Sequence, residues 1–370
     1  MVNKDRLVNS FIEMTKIDAI SFQEREMADY LTTKLKELGF TVKEDQAGNQ
    51  YGSKTGNLYC YREGTIEGRP LLFCVHMDTV APGIGKKAVC HENGIITSDG
   101  STVLGADDVS GIAELLEMLV VIRENAYACR SLELLITIGE EAYLKGSEVF
   151  DFSQIKAEEA FVLDLTGPAG TAAIEAPSLL PFTLTINGQA SHAGFQPEAG
   201  IHAIAVAANI ITAMKQGRID EETTFNIGMI SGGEGTNIVP KQCVLRGEAR
   251  SLKHKKAEKL LKKLEKTTAK ITQEAGAVYE LAITYANLAY KVPKKEKVIK
   301  HYKQALKELG IEPDLIATFG GSDASNLMKH GIMTLTLSCG MEKVHTCEEY
   351  TLIEELIKNT EILLKLVQTK

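Results

Sequence analysis

Three short, almost unbroken apolar runs constrain the fold of this chain more than any other feature. They are LLFCV at 71–75, LELLITI at 132–138 and AFVLDL at 160–165. Such runs suit strands that are buried on both faces, as in a parallel or mixed sheet covered by helices. Segments with helical spacing lie between them, such as 108–124. The pattern predicts an α/β fold with a mixed, mainly parallel sheet flanked by helices.

The middle of the chain shows a different order of predicted strands and helices. From the strand FTLTING onward, the predicted order is strand, helix, strand, strand, helix, strand, which is the split βαβ arrangement. The α/β character then resumes with a helix in VPKKEKVIKHYKQALKELG and a strand in GIMTLTLS. A chain of 370 residues is long enough for two domains. We therefore expect a βαββαβ domain at 177–287, inserted into a larger domain formed by 1–176 and 288–370.

Charge and composition argue against several classes of protein. The 41 basic and 49 acidic residues give a net charge of −8, so a general attraction to nucleic acid is not expected. No apolar run reaches the ~18–20 residues of a membrane helix, and the charged start MVNKDRLVNSFIEMTKI lacks the pattern of a signal peptide. The seven cysteines show no C-x-x-C spacing, which favours neither a thiolate zinc site nor disulfides. We expect a cytoplasmic protein without nucleic-acid or membrane partners.

Five side chains with metal-binding chemistry fall at the carboxyl ends of predicted strands or in the loops beyond them, where α/β sheets bind ligands. They are His76, Asp107, Glu141, Asp164 and His345. Each has an ordinary structural explanation when taken alone. His76 could be a polar strand end, Asp107 a helix cap and Glu141 part of a solvated turn. Asp164 could reach solvent from a strand end, and His345 could be a surface histidine.

Taken together, the five side chains offer two imidazoles and three carboxylates. Two divalent cations would balance the three carboxylates and one bridging hydroxide, and such mixed ligand sets suit zinc, cobalt or manganese. The adjacent Glu140 would then be free to act as a general base. Asp78 lies two residues after His76 on the same side of the strand, where it could orient that imidazole.

Nine strings of residues resemble the di-zinc exopeptidase family, which includes aminoacylases, carboxypeptidases, dipeptidases and peptidase T. They lie in family order between about residues 70 and 350, and their detail is most similar to peptidase T-like proteins. The strings are HMDTV, GADDVSGIA, GEEAYLKGSE, VLDL, SHAGFQPEAGIHAI, GGEGTNIVP, GEARS, GGSDASN and KVHTCEEY.

This resemblance implies the zinc exopeptidase fold and a pair of zinc ions, for which cobalt or manganese could substitute. Asp107 would bridge the two ions through its carboxylate, and its peptide bond to Asp108 would be cis. The other ligands would be divided between the ions: His76 and Asp164 at one, Glu141 and His345 at the other. Glu140 would be the base, and Asp78 would orient His76.

The resemblance also implies a set of substrate-binding residues. His192 would help to hold the tetrahedral oxyanion, while Asn237 and Arg250 would bind the far carboxylate of the substrate. Gly320, Gly321 and Ser322 would form a loop beside the site. Without the resemblance, His192 would be an ordinary surface histidine, and Arg250 would serve equally well as a salt-bridge partner.

The expected activity is that of a zinc metallopeptidase of the tripeptide aminopeptidase type. It would hydrolyse the amino-terminal peptide bond of short peptides through a metal-bridging hydroxide, in a homodimer whose inserted domain acts as a lid. Phe319 occupies the position where the family's tripeptidases carry arginine. This difference argues against strict tripeptide specificity, though not against hydrolysis. The alternatives are an N-acyl-amino-acid deacylase, a carboxypeptidase-like hydrolase of the same fold, or a non-catalytic metal-binding homologue.

Overall fold

A computed structural model describes residues 1–368 and shows two compact units. The first comprises residues 1–174 and 291–318 together with the described chain from 322 onward, and the second comprises 175–290 with 319–321. The predicted boundaries follow residues 176 and 287, whereas the units divide after 174 and 290. The assignment of catalytic and lid roles to the units stays a prediction. Within residues 1–368, no helix is both long enough and apolar enough to cross a membrane.

The helices and strands follow the order expected for alternating α/β elements. The helices are α1 (Lys4–Thr15), α2 (Arg25–Glu37), α3 (Ala106–Asn125), α4 (Lys145–Glu148), α5 (Ala203–Ala213), α6 (His254–Ala275), α7 (Lys297–Leu309), α8 (Ala324–Lys329) and α9 (Ile353–Gln368). The strands are β1 (Thr41–Glu44), β2 (Leu58–Arg62), β3 (Ile66–His76), β4 (Ala88–Cys90), β5 (Ile95–Ser98), β6 (Arg130–Thr137), β7 (Glu159–Leu165), β8 (Thr171–Ala176), β9 (Ser178–Asn187), β10 (Gly217–Asp220), β11 (Thr223–Gly232), β12 (Gln242–Ser251), β13 (Val278–Ile283), β14 (Tyr290–Lys291), β15 (Asp314–Ala317), β16 (Met333–Ser338), β17 (Met341–Glu342) and β18 (Tyr350–Leu352).

The large sheet confirms the predicted mixed α/β class. Its strands run in the order β1-β2-β6-β3-β7-β16-β8-β14, with β15 paired to β8. The central strands β6, β3, β7 and β16 are parallel, and the pairs β1–β2, β2–β6 and β16–β8 are antiparallel. The three apolar runs that predicted buried strands form β3, β6 and β7. Their carboxyl ends therefore meet at one edge of the sheet, and the candidate site lies there.

A second, smaller sheet of the first unit was not predicted. Its strands run in the order β17-β18-β5-β4. These strands are only two to four residues long, so they show too few alternations for periodicity to reveal them.

The second unit is built on an antiparallel sheet of order β10-β11-β12-β9-β13. Helices α5 and α6 pack against it, and the core between them includes the stacked rings of Phe182 and Phe225. The helix predicted after the strand FTLTING is α5, and the short strand β10 that follows it was not predicted. Helix α5 ends at Ala213, and Gly217, at φ 76°, turns the chain into β10. A helix residue at this φ would be strained, which is why glycine marks the change of element.

Helix α3 lies close to strand β7 because Gly111 has no side chain. A Cβ added at Gly111 would lie 2.6 Å from the Leu163 oxygen and 2.5 Å from Asp108 Oδ1. Both distances are shorter than real contacts allow, so any larger residue must push the helix away from the strand. This close approach places Asp107 at the start of α3 beside Asp164 near the end of β7.

We predict that Gly111→Ala destabilises the protein, although alanine favours a helix over glycine by about 1 kcal/mol. The free energy of unfolding should fall by about 1–3 kcal/mol because the added methyl group overpacks the helix–strand contact. Denaturant unfolding followed by circular dichroism measures this change.

The neighbouring Ser110→Ala is the matched control. Its hydroxyl is buried and has no hydrogen-bond partner in residues 1–368, so its removal should change stability by no more than about 0.5 kcal/mol. Equal stability of the Gly111→Ala variant and the wild type would contradict the packing argument.

Candidate metal centre

His76 is the last residue of β3, and its ring is 2% exposed. Its Nδ1 lies 2.9 Å from the backbone oxygen of Asp78, which fixes the Nδ1 proton there in the neutral ring. Nε2 therefore points toward the cluster of acidic residues with its lone pair. The carboxylate of Asp78 lies farther from the ring, with Oδ1 3.5 Å from Nδ1. Asp78 thus contacts His76 mainly through its main chain.

Asp107 lies between the two histidines. Its Oδ1 is 2.9 Å from Nε2 of His76, and its Oδ2 is 3.2 Å from Nε2 of His345. One carboxylate therefore offers a separate oxygen to each side, as a bridging ligand must. The Asp107–Asp108 peptide bond is cis, which confirms that expectation.

The loop after β6 carries Glu140 and Glu141, and Asp78 holds it in place. Oδ1 of Asp78 accepts the backbone N–H of Glu140 at 3.0 Å, and Oδ2 accepts that of Glu141 at 3.2 Å. The Ser21 hydroxyl also donates to Oδ2 at 2.7 Å. The Asp78 carboxylate consequently fixes the main chain of both glutamates at once.

The remaining ligand candidates complete the cluster on either side of Asp107. Oε1 of Glu141 lies 2.8 Å from Nε2 of His345, and Oδ1 of Asp164 lies 4.0 Å from Nε2 of His76. Ligand atoms of two groups lie within 4.8 Å of one another: His76 with Asp107 and Glu141, and His76 with Glu140 and Asp164. The structure thus brings all five predicted ligands and Glu140 together. Their roles as ligands and base stay predictions.

The pKa shifts in this cluster show that it lacks positive charge. Burial raises the pKa of Glu140 and of Asp164 well above the ordinary range, and neighbouring carboxylates add to both shifts. Hydrogen bonds with Asp107 and Glu141 raise the pKa of His345 to about 10. Each shift expresses an excess of buried negative charge, because carboxylates taken out of water need a nearby cation. The donor set of imidazole nitrogens and carboxylate oxygens therefore fits a pair of divalent cations.

Three further buried carboxylates support the site, and none of them was predicted as a site residue. Glu24 accepts the backbone N–H of Phe22 and Gly139, and Asp323 accepts the hydroxyls of Thr137 and Ser147. The third, Glu349, accepts the backbone N–H of Gly105 and of Asp107. Burial raises the pKa of Glu24 and of Glu349, each to about 7. Asp323 and Glu349 had a sequence signal, since they lie in the strings GGSDASN and KVHTCEEY.

His192 and Asn237 lie on adjacent backbone segments of the second unit. His192 bridges to Ile238, and the Ala193 N–H donates to the Asn237 oxygen at 2.9 Å. Nδ1 of His192 accepts the backbone N–H of Gly194 and Phe195, each at 3.1 Å. The neutral ring therefore carries its proton on Nε2, where it can donate to a ligand.

Arg250 is half-buried on β12, and its guanidinium donates three hydrogen bonds within the protein. Its Nε and Nη2 donate to the Glu248 carboxylate at 2.6 and 3.1 Å, and Nη1 donates to the Phe319 oxygen at 2.8 Å. The Phe319 ring is covered by the guanidinium of Arg218 at 4.6 Å.

The predicted loop beside the site is divided between the two units. Phe319, Gly320 and Gly321 belong to the second unit, whereas Ser322 belongs to the first, where its hydroxyl lies 3.3 Å from that of Thr336. A Cβ at Gly321 would lie 2.2 Å from Nδ2 of Asn287, so a larger residue there would require the Asn287 side chain to move.

Two family models match parts of the chain. The model of the peptidase dimerisation domain matches residues 174–275, and the model of peptidase family M28 matches residues 57–214. The first match lies almost entirely in the second unit, and the second begins just before β2.

Similar proteins match nearly the whole chain. The uncharacterised protein YqjE of Bacillus subtilis (strain 168) is 38% identical, over 100% of this chain and 99% of its own. The crystal structure of aminopeptidase PepT from Bacillus cereus is 37% identical, with a TM-score of 0.88 over 99% and 98% of the two chains. The structure of a tripeptidase from Staphylococcus aureus is 34% identical, with a TM-score of 0.94 over 100% and 98%.

The fold and these matches define a metal-dependent exopeptidase. The chain belongs to the peptidase T-like group of the di-zinc exopeptidase family.

We predict that removing metal with a chelator lowers the Tm, because cations that bind the folded chain stabilise it by mass action. At a free metal concentration of about 1,000 times Kd the stabilisation is about 4 kcal/mol. Differential scanning calorimetry with and without added zinc measures the shift.

The metal-dependent rise in Tm should be much smaller in His345→Ala than in the wild type. His91→Ala is the matched control, since His91 is exposed and bonds to Thr97, and it should keep the full shift. An equal metal-dependent shift in all three proteins would argue against the site.

Proposed function

We propose that this protein removes the amino-terminal residue from short peptides, with tripeptides as the main class, and that it does so with two zinc ions. The observation that carries the proposal is the position of Asp107, whose two carboxylate oxygens face His76 and His345 separately. The similarity to an aminopeptidase of Bacillus cereus and a tripeptidase of Staphylococcus aureus supports an amino-terminal cleavage of short peptides.

His76 and Asp164 would hold one ion, Glu141 and His345 the other, and Asp107 both. When bound, the pair supplies an acidified water and polarises the scissile carbonyl. The chain keeps these ligands in place through the Asp78 carboxylate, which fixes the main chain of Glu140 and Glu141.

Glu140 acts as the general base in this proposal. Its carboxylate and the ligand atoms of His76 and Asp164 lie within 4.8 Å of one another. The backbone N–H of Glu140 donates to Asp78. A carboxylate in this position can accept a proton and release it again. It takes a proton from the attacking water and returns it to the leaving amine.

His192 supplies a neutral N–H donor for the developing oxyanion. Its proton is on Nε2 because Nδ1 accepts two backbone N–H groups. One preorganised donor of this kind is typically worth about 3–4 kcal/mol of transition-state stabilisation.

Asn237 and Arg250 bind the carboxylate at the far end of the substrate, and Gly321 and Ser322 are further substrate-binding residues. Three of the five N–H groups of Arg250 serve Glu248 and Phe319. Among the contacts of residues 1–368, this leaves two N–H groups for a substrate carboxylate.

The protein acts as a homodimer in the cytoplasm in this proposal. The match to a peptidase dimerisation domain supports self-association. All seven cysteines are free thiols, which fits a reducing compartment.

Glu140→Gln should lower kcat by about 10²–10⁴-fold, because the amide cannot accept the proton of the water. Metal content should stay near two per chain, since Glu140 is not a ligand in this proposal. Turnover of a tripeptide and elemental analysis of the same sample measure both.

Glu148→Gln is the matched control in the same loop region. Its carboxylate is exposed and pairs with Lys145, so its kcat should equal that of the wild type. Undiminished kcat in Glu140→Gln would exclude Glu140 as the base.

A substrate panel tests the proposed reaction itself. Metal-dependent release of the amino-terminal residue from tripeptides, with little action on dipeptides and acetylated amino acids, is the expected result. Preference for acetylated amino acids would indicate a deacylase, and release of the carboxyl-terminal residue would indicate a carboxypeptidase-like enzyme. Absence of hydrolysis across the panel would indicate a non-catalytic homologue.

A further inference from the structure

Glu349 is a buried carboxylate to which neither the chemistry above nor the family resemblance gives a role. The residue is 1% exposed. Oε2 accepts the backbone N–H of Gly105 at 2.7 Å, and Oε1 accepts that of Asp107 at 3.0 Å. Both oxygens are therefore engaged by the turn that opens helix α3.

That turn determines where the Asp107 side chain lies. Gly105 has a φ of 77°, and the backbone angles of Asp107 and Asp108 are not helical. The first N–H groups of a helix have no partner within the helix. Glu349 satisfies the N–H of Asp107 itself, so it fixes the main chain of the residue whose carboxylate faces both histidines.

Glu349 is also tied to the loop that carries His345. Its own N–H donates to the Thr346 oxygen at 3.1 Å, and its oxygen accepts the Ser98 N–H at 3.3 Å. One residue therefore joins the loop of His345 to the main chain of Asp107. The side chains of these two residues are 3.2 Å apart at the centre of the site.

We propose that Glu349 is a positioning residue that sets the separation of Asp107 and His345, and through it the affinity of the protein for its metal pair. The proposal rests on the ligand roles given under the proposed function. Partners that orient metal ligands in this way typically change metal affinity by 10–100-fold when they are removed.

The chemistry requires a carboxylate at this position. Each of its oxygens accepts one N–H group, whereas an amide of the same shape has a single acceptor oxygen and two N–H donors. Glu349→Gln therefore places a donor against a backbone donor, either at Gly105 or at Asp107. The turn must shift to relieve that contact.

The test measures zinc binding rather than turnover. The metal-free wild type, Glu349→Gln and Glu348→Gln are titrated with zinc in competition with a chromophoric chelator, and the Tm of each metal-free protein is recorded. Glu348 is the matched control, because it is adjacent, exposed and paired with Lys343 at 2.7 Å. The expected result is a Kd for zinc that is 10–100-fold higher in Glu349→Gln and unchanged in Glu348→Gln.

Glu349→Asp is a second variant that keeps the charge. Its shorter side chain reaches only one of the two N–H groups, so its zinc affinity should fall between those of the wild type and Glu349→Gln. If Glu349→Gln does not fold, the test depends on Glu349→Asp. An unchanged Kd for zinc in Glu349→Asp then overturns the proposal.

The outcomes separate this inference from the proposed function. A wild type that binds fewer than two zinc ions per chain contradicts the proposed function itself. A wild type that binds two, together with a folded Glu349→Gln variant of unchanged Kd, overturns the positioning role and leaves the function standing. A lower Tm of metal-free Glu349→Gln with unchanged zinc affinity identifies a purely structural residue and also overturns the proposal.

Discussion

The structure of the first unit depends on how buried negative charge is balanced at one edge of its sheet. Asp107, Glu140 and Glu141 converge there with Asp164, and Asp78 lies directly behind them. A carboxylate in such a place is stable only beside cations or hydrogen-bond donors. The donors are backbone N–H groups around Asp78, Glu24 and Glu349, and the two histidines lie between the remaining carboxylates. A pair of divalent cations would supply the positive charge that this arrangement still requires.

The parallel order of the central strands explains why residues so distant in sequence meet. Strands β6, β3 and β7 are neighbours, so the residues at or just beyond their carboxyl ends lie side by side. His76 ends β3, Glu140 follows β6, and Asp164 lies near the end of β7. Helix α3 then brings Asp107 against them, because Gly111 lets the helix approach β7 closely.

Much of this could be predicted from the sequence, because apolar runs identify buried strands and polar residues after them identify a ligand-binding edge. What could not be predicted depends on contacts that form only in the folded chain. Nothing in the string ISFQE shows that the Glu24 carboxylate binds the N–H of Gly139. Likewise, Asp323, the residue before α8, meets Ser147 of α4 and Thr137 at the end of β6 only in the folded chain.

The elements that were not predicted lack a clear signal in the sequence. The strands of the small sheet are too short for a period to appear, and β10 follows a helix with only a glycine to mark the change. Asp78 contacts His76 most closely through its main-chain oxygen, while its carboxylate accepts the N–H groups of both glutamates. Its role in orienting His76 stays a prediction. Sequence patterns locate such residues but do not say which of their atoms is used.

Anomalous diffraction from crystals grown with zinc would locate the metal ions in the site. We expect two zinc peaks, one on each side of the Asp107 carboxylate, with Nε2 of His76 and Nε2 of His345 each about 2.0–2.1 Å from a different ion. A single peak, or a pair of peaks in which Asp107 does not touch both ions, would contradict it.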